Sequence, residues 1–143
     1  MTIMEKIIYR CYLFSPEQDK FLRDKSYGID RMECFMTLAE LAVHEDTKVR
    51  ISEHKDITLT KGQFTISDVK LSQLWRLERK TVHKIMKRME ELGIFSSAKV
   101  GQICVYSMKA LSGWHINGQF HWNPFYRKPA RLMTESTTGD SGK

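Results

Sequence analysis

Between Arg76 and Arg88 the chain gathers the side chains best suited to holding a polyanion. Six cations (Arg76, Arg79, Lys80, Lys84, Lys87 and Arg88) stand in thirteen residues against one acid, Glu78. This window carries a net charge of +5, whereas residues 1–75 carry −1 and residues 89–143 carry +2. Charge concentrated in this way makes a local field that draws phosphate, while evenly spread charge bears mainly on solubility. Val82, Ile85, Met86, Met89 and Leu92 recur at i, i+3, i+4 and i+7 in the same stretch. The spacing predicts a helix over about 79–92, apolar on one face and basic on the other. Gly93 is suited to stop it.

Other reactive side chains are scattered. Cys11, Cys34 and Cys104 are odd in number and widely spaced, which fits reduced, buried thiols better than a disulfide or redox pair. His44, His54, His115 and His121 show neither metal-ligand spacing nor a nucleophile partner, so structural or surface roles are expected. The sequence holds no phosphate-cradling glycine loop, paired-carboxylate motif or Ser/His/Asp spacing. An enzyme is not expected, nor a metal, a cofactor or a small-molecule ligand. The eight methionines read as adaptable core filler.

The elements that would position the basic helix can be read in order. Residues 5–14 alternate poorly and fit a strand or the start of a helix, with the strand favoured because Ile, Tyr and Phe dominate. Ser15-Pro16-Glu17 has the pattern of a helix start, with a short helix to about Lys25 and Gly28 ending the segment. Asp30 opens a second helix over about 31–45, where Met32, Phe35, Met36, Ala39, Ala42 and Val43 form a stripe at the centre of the core. One or two strands are expected over 49–60, a turn at Lys61-Gly62 and extended chain over 63–66. Ser67-Asp68 starts a helix to Trp75, with Val69, Leu71, Leu74 and Trp75 on its apolar side. Arg76-Leu77-Glu78 is a tight connection. Residues 94–99 and 102–109 form a hairpin around Gly101.

Two readings stay open for the aromatics Trp114, Phe120, Trp122, Phe125 and Tyr126. They pack back on the N-terminal segment as extra core, which is the favoured reading, or they form an exposed arm for self-association. From Arg127 the composition is that of a disordered tail. The length of 143 residues suits one domain. No apolar run approaches the ~20 residues that cross a bilayer, and the N-terminus lacks a signal-peptide pattern. A cytoplasmic location is therefore expected.

The stretch GQFTISDVKLSQLWRLERKTVHKIMKRMEELGIF over residues 62–95 resembles the helix-turn-helix of winged-helix transcriptional regulators and phage replisome-organiser N-terminal domains. The matching residues are Gly62-Gln63, Ser67, Leu71, Trp75, Leu77, Thr81-Val82, Met89 and Leu92-Gly93-Ile94. Those families often have Gly in the turn and Ser or Thr opening the second helix, where this chain has Arg76 and Glu78. The resemblance implies an α+β fold: a winged helix-turn-helix with a three-helix core, a small antiparallel β-hairpin wing, and extensions at both ends. The corresponding partition is an N-terminal extension packing on the domain over 1–28, the winged-helix domain over 29–111, an aromatic segment over 112–126 and the tail over 127–143.

The resemblance also implies binding of double-stranded DNA, in regulating transcription or in replicating or excising a mobile element. Many such regulators dimerise to read paired half-sites, which makes a homodimer a partner to look for. In this arrangement Arg79, Lys80 and His83 face base edges or adjacent phosphates, while Lys84 and Lys87 track the backbone. Thr81 meets a phosphate or a thymine methyl. Ser67 offers its hydroxyl and nearby amides to phosphate. Arg76 and Lys99, at the turn and near the hairpin tip, complete the expected DNA-binding set. The alternative is a protein–protein adaptor of the same fold, using the aromatic C-terminal segment as its interface.

Overall fold

Ser15 opens the first helix by a reciprocal cap. Its Oγ accepts the Gln18 N–H at 3.1 Å, and Gln18 Oε1 accepts the Ser15 N–H at 2.8 Å, so two otherwise orphaned donors are satisfied. In the computed structural model, which describes residues 7–126, this helix α1 spans Pro16–Arg23 and follows strand β1, Ile8–Tyr12. The tail expected over 127–143 lies outside the described residues. A single 3-10 turn, Ser26–Gly28, leads to α2, Arg31–Leu41, whose cap Asp30 accepts the Glu33 N–H at 3.1 Å. α2 stops short of the expected residue 45, because Val43 has left the helix to bond elsewhere. Its N–H donates to the Gln63 carbonyl at 3.0 Å, and its carbonyl accepts the Gly62 N–H at 2.7 Å.

Strands β2, Thr47–Ser52, and β3, Lys55–Leu59, pair as an antiparallel hairpin, and β4, Gln63–Thr65, follows. Helices α3, Asp68–Trp75, and α4, Arg79–Glu91, come next. The chain then runs through β5, Phe95–Val100, β6, Ile103–Met108, β7, Leu111–Ile116, and β8, Gln119–Trp122. The fold is α+β, with more β-structure than a three-helix core and one hairpin. Three antiparallel sheets are present among the described residues, in the orders β1-β7-β8, β2-β3 and β4-β6-β5.

The first sheet is built from the aromatic segment. β7 pairs with β1 from Ile8↔Ile116 to Tyr12↔Leu111, then turns back into β8 through Asn117-Gly118. Both turn residues have positive φ, 52° and 82°, as the mirror-image hairpin turns require. Gly113 allows the close approach of β8, since a Cβ there would lie 2.3 Å from the His121 carbonyl oxygen.

One apolar cluster joins the helices to the sheets. It includes Leu22, Phe35, Leu38, Phe64, Leu71, Val82, Met89, Phe95, Met108 and Trp114, all essentially without solvent contact. Phe64 stacks on Tyr106 with centroids 4.9 Å apart, and Phe95 meets the same ring edge-on at 5.2 Å. α3 contributes less than its sequence suggests, for only Leu71 is buried while Val69 and Leu74 are half in solvent. Among the described residues Asn123 is the buried polar exception. Its Nδ2 donates to the Met108 and Leu111 carbonyls, each at 2.7 Å, and its Oδ1 accepts the Phe125 N–H at 3.1 Å. This bracket fixes the passage from β6 into β7.

All three cysteines are free, but only Cys34 is buried, with Cys11 and Cys104 partly exposed. Burial pushes the Cys34 thiol up to about 11, with the charges of Asp30 and Glu33 adding to it and Arg31 opposing. The Tyr106 phenol is also pushed up, by burial and then by its hydrogen bond with Cys104. A folded state that holds these protons more tightly than the unfolded chain keeps their contribution in full at neutral pH. It loses that contribution as pH rises through the folded values. Urea midpoints should therefore be level from about pH 7 to 8.5 and fall between about 9 and 11. Cys34→Ala should flatten part of that alkaline fall.

Candidate nucleic-acid interface

The connection between α3 and α4 is held by Ser72 and by the backbone of Arg76. Arg76 adopts the left-handed conformation (φ 57°, ψ 45°) and ends α3, its N–H donating to the Ser72 carbonyl. The Leu77 N–H reaches the same carbonyl at 3.2 Å, and the Ser72 hydroxyl donates to the Leu77 carbonyl. The turn geometry therefore forms without a glycine, at the steric cost that a side chain carries in this region. Arg76→Gly should raise stability by about 0.5–1 kcal/mol, read as a higher urea midpoint at unchanged m-value. Glu78 caps α4 without a side-chain hydrogen bond.

The far end of α4 is clamped twice. Gly93, at φ 78°, donates to the Glu90 carbonyl, and the Ile94 N–H donates to the Met89 carbonyl, each at 3.0 Å. This is the Schellman closure expected of a C-terminal glycine. Gln18 Nε2 of α1 donates to the Leu92 carbonyl at 2.8 Å. Glu90 accepts the Ser97 N–H and hydroxyl at 2.8–3.0 Å, tying α4 to the β5–β6 hairpin. This acid is thus engaged with the hairpin rather than with the cations of its own helix.

Val82, Ile85, Met86 and Met89 are buried, as their spacing predicts, while Arg79, Lys80, His83, Lys84, Lys87 and Arg88 are exposed. At ~100° per residue, the order around the outward face runs Arg79, His83, Lys87, Lys80, Lys84, Arg88, Thr81. Three hollows follow that order and share lining residues. The central one, about 500 Å³, is lined by Asp68, Arg79, Lys80, His83, Lys84 and Lys87. A second, about 310 Å³, continues from Asp68 and Arg79 to Ser67 at the start of α3 and to Lys99 and Gln102 on the β5–β6 hairpin. A third, about 600 Å³, continues from Lys84 to Thr81, Arg88, Arg31 and Tyr27 on the opposite flank. The three adjoining hollows make up a shallow, open trough across α4.

Among the described residues, Arg76, Arg79, Lys80, Lys84 and Lys87 form no ion pair. Arg88 is 3.4 Å from Glu91, and His83 Nδ1 is 3.5 Å from the Asp68 carboxylate. A face of unpaired cations lacks internal compensation and is best complemented by an external anion.

Eight of the nine residues expected from sequence line this trough: Ser67, Arg79, Lys80, Thr81, His83, Lys84, Lys87 and Lys99. Arg76 lines none of the three and stands exposed at the turn. The Ser67 Oγ is already engaged in accepting the Lys70 N–H at 3.1 Å, which leaves its O–H to donate outward. Thr81 is half-buried, on the flank away from the hairpin. Sequence reasoning passed over Asp68, Tyr27, Arg31 and Gln102. Asp68 places a carboxylate inside the cationic trough and so disfavours phosphate beside it. No sequence signal marked Arg31 or Tyr27, which reach α4 only through the tertiary fold.

Among the described residues no cluster of three His, Cys, Asp or Glu side chains could hold a metal ion, and no helix is long and apolar enough to cross a membrane. No protein-family model matches the chain, and no curated protein or solved structure is similar to it.

Proposed function

We propose that this protein binds double-stranded DNA, with α4 as a recognition helix in the major groove and the β5–β6 hairpin as a wing on the flanking backbone. The observation that carries the reading is the set of exposed, unpaired cations on the outward face of α4, with Lys99 of the hairpin at one end of the trough. A helix of ~10–12 Å diameter fills a major groove ~12 Å wide. In that position Arg79, Lys80 and His83 read base edges while Lys84 and Lys87 meet phosphate. The order α3, three-residue turn, α4 and hairpin supports a winged helix-turn-helix arrangement. The biological role that follows is regulation of transcription, or replication or excision of a mobile element, without catalytic chemistry of its own.

The deciding experiment is a titration of fluorescent duplexes across a salt series, followed by selection from random duplexes. The logarithm of the affinity should fall linearly with the logarithm of salt concentration, at about 0.9 per phosphate contact. A set of five or six contacts gives a slope near −5. A palindromic selected site would indicate a homodimer on paired half-sites. Absence of binding at low salt, or binding indifferent to salt, would remove this reading.

A second reading, a protein–protein adaptor, is favoured by the outer face of the β1-β7-β8 sheet. Tyr9 and Trp122 are 63% and 60% exposed there, and Phe120, Trp122 and Tyr126 form a contiguous run of rings. Capture of a protein partner that Trp122→Ala abolishes, by a chain that ignores DNA at low salt, would favour it.

A further inference from the structure

The turn between α1 and α2 holds a side chain that core packing does not explain. Tyr27 is 94% exposed and sits at φ 62°, ψ 21°, a conformation that a bulky residue adopts only under constraint. The constraint is local. The Asp24 carboxylate accepts both the Ser26 N–H at 2.9 Å and the Ser26 hydroxyl at 2.5 Å, and these bonds hold its pKa below the usual carboxylate range. The fold thus pins a turn that presents an aromatic ring to solvent beside α4.

What lies between that ring and α4 combines cations with the apolar side chains of Phe21, Ile29 and Ile85. The hollow there takes Arg31 from α2, and Thr81, Lys84 and Arg88 from α4. Arg31 is oriented by three contacts: its guanidinium lies 5.1 Å over the Phe21 ring, Nη1 donates to the Asp24 carbonyl at 2.6 Å, and Nη1 is 3.8 Å from the Asp24 carboxylate. Its buried Nε has no hydrogen-bond partner. Three guanidinium or ammonium groups and a hydroxyl, together with the rings of Tyr27 and Phe21 and the side chains of Ile29 and Ile85, therefore border a space of about 600 Å³.

A helix seated in the major groove has a phosphate wall on each side. The order of residues around α4 puts Arg79 toward the hairpin and Arg88 and Thr81 toward the Tyr27 turn, so each flank carries its own cations. We infer that the hollow between the Tyr27 turn and α4 seats the sugar–phosphate backbone on the groove wall opposite the wing, with Tyr27 as its outermost contact. This rests on the duplex-binding reading and adds a second arm to it. The protein then grips both walls of one groove.

Tyr27→Gly makes a discriminating variant, because it deletes the side chain while suiting the backbone conformation. Its melting temperature should equal or exceed that of the parent chain, so a binding defect would not reflect misfolding. Duplex affinity should fall about 5-fold, the loss of one good polar contact. Tyr27→Gly combined with Arg88→Ala should also lower the salt slope by about 0.9. Hydroxyl-radical footprints should lose protected sugars along one strand on one side of the site and keep those under the wing. A parent chain that binds duplex DNA, with variants equal to it in affinity and footprint, would overturn the second arm and leave the duplex reading intact. A parent chain that binds no duplex at low salt would overturn both.

Discussion

Trp114→Ala should lower folding stability by about 3–5 kcal/mol, the range for deleting a large aromatic from a tight core. Trp114 is the largest fully buried side chain, 1% exposed, and stands on the central strand of the β1-β7-β8 sheet opposite Arg10 and His121. Its ring belongs to the cluster that also holds Phe35 and Leu38 of α2, so its loss opens a cavity between sheet and helices. A domain of this size has ~5–15 kcal/mol in total, and the variant should be marginal at 37 °C. Trp122, one position past His121 on the partner strand and so on the opposite face, gives the contrast. At 60% exposed, its replacement by alanine should change stability by no more than ~0.5 kcal/mol. Urea denaturation followed by far-UV circular dichroism measures both, independently of the tryptophans removed. Equal losses from the two substitutions would contradict the burial described here.

That contrast explains why the aromatic segment was hard to read. Core and exposed arm were offered as alternatives, yet period-2 geometry divides the residues between the two faces of one sheet. Trp114 and Ile116 point inward, whereas His115 and Trp122 point outward. Asn117-Gly118 between alternating residues is a strong hairpin signal. Gly113 and Asn123 obscure it, because both residue types favour turns yet here serve a close approach and a buried bracket. Pairing of β7 with β1 joins residues about a hundred positions apart, and no local pattern encodes it.

The basic helix was legible because its information is local. Val82, Ile85, Met86 and Met89 set one face, Gly93 sets the end, and the cations take what remains. α3 was read less well, since Val69 and Leu74 fit an apolar pattern but remain half-exposed. The missed residues of the trough share one property. Asp68 reaches it from α3, while Arg31 and Tyr27 reach it from α2 and the preceding turn, so tertiary packing alone brings them to α4.

Arg79→Ala and Lys87→Ala should separate two kinds of contact on the same helix. Both side chains line the central hollow, and neither forms an ion pair among the described residues, so their removal should disturb the fold little. Arg79 opens α4, at the end where a recognition helix meets base edges, and its guanidinium can hold guanine O6 and N7 together. Its loss should cost about 1–3 kcal/mol on the selected site and much less on random duplex, so the preference at one base pair relaxes. Lys87 lies two turns further along and offers a point charge. Its loss should weaken every sequence alike and reduce the salt slope by about 1. Arg79 also borders the hollow that runs to Lys99, so a pure phosphate role is its natural competitor. That competitor makes a different forecast: Arg79→Ala would then copy Lys87→Ala, with a shallower slope and unchanged base preference. Affinities of both variants for the selected and scrambled duplexes, each at several salt concentrations, decide between the two. Reversing Lys84 and Lys87 together to Glu should remove ~2–6 kcal/mol, at least about 30-fold, from all duplex binding. If that double reversal leaves the affinity unchanged, α4 is not the surface that meets DNA.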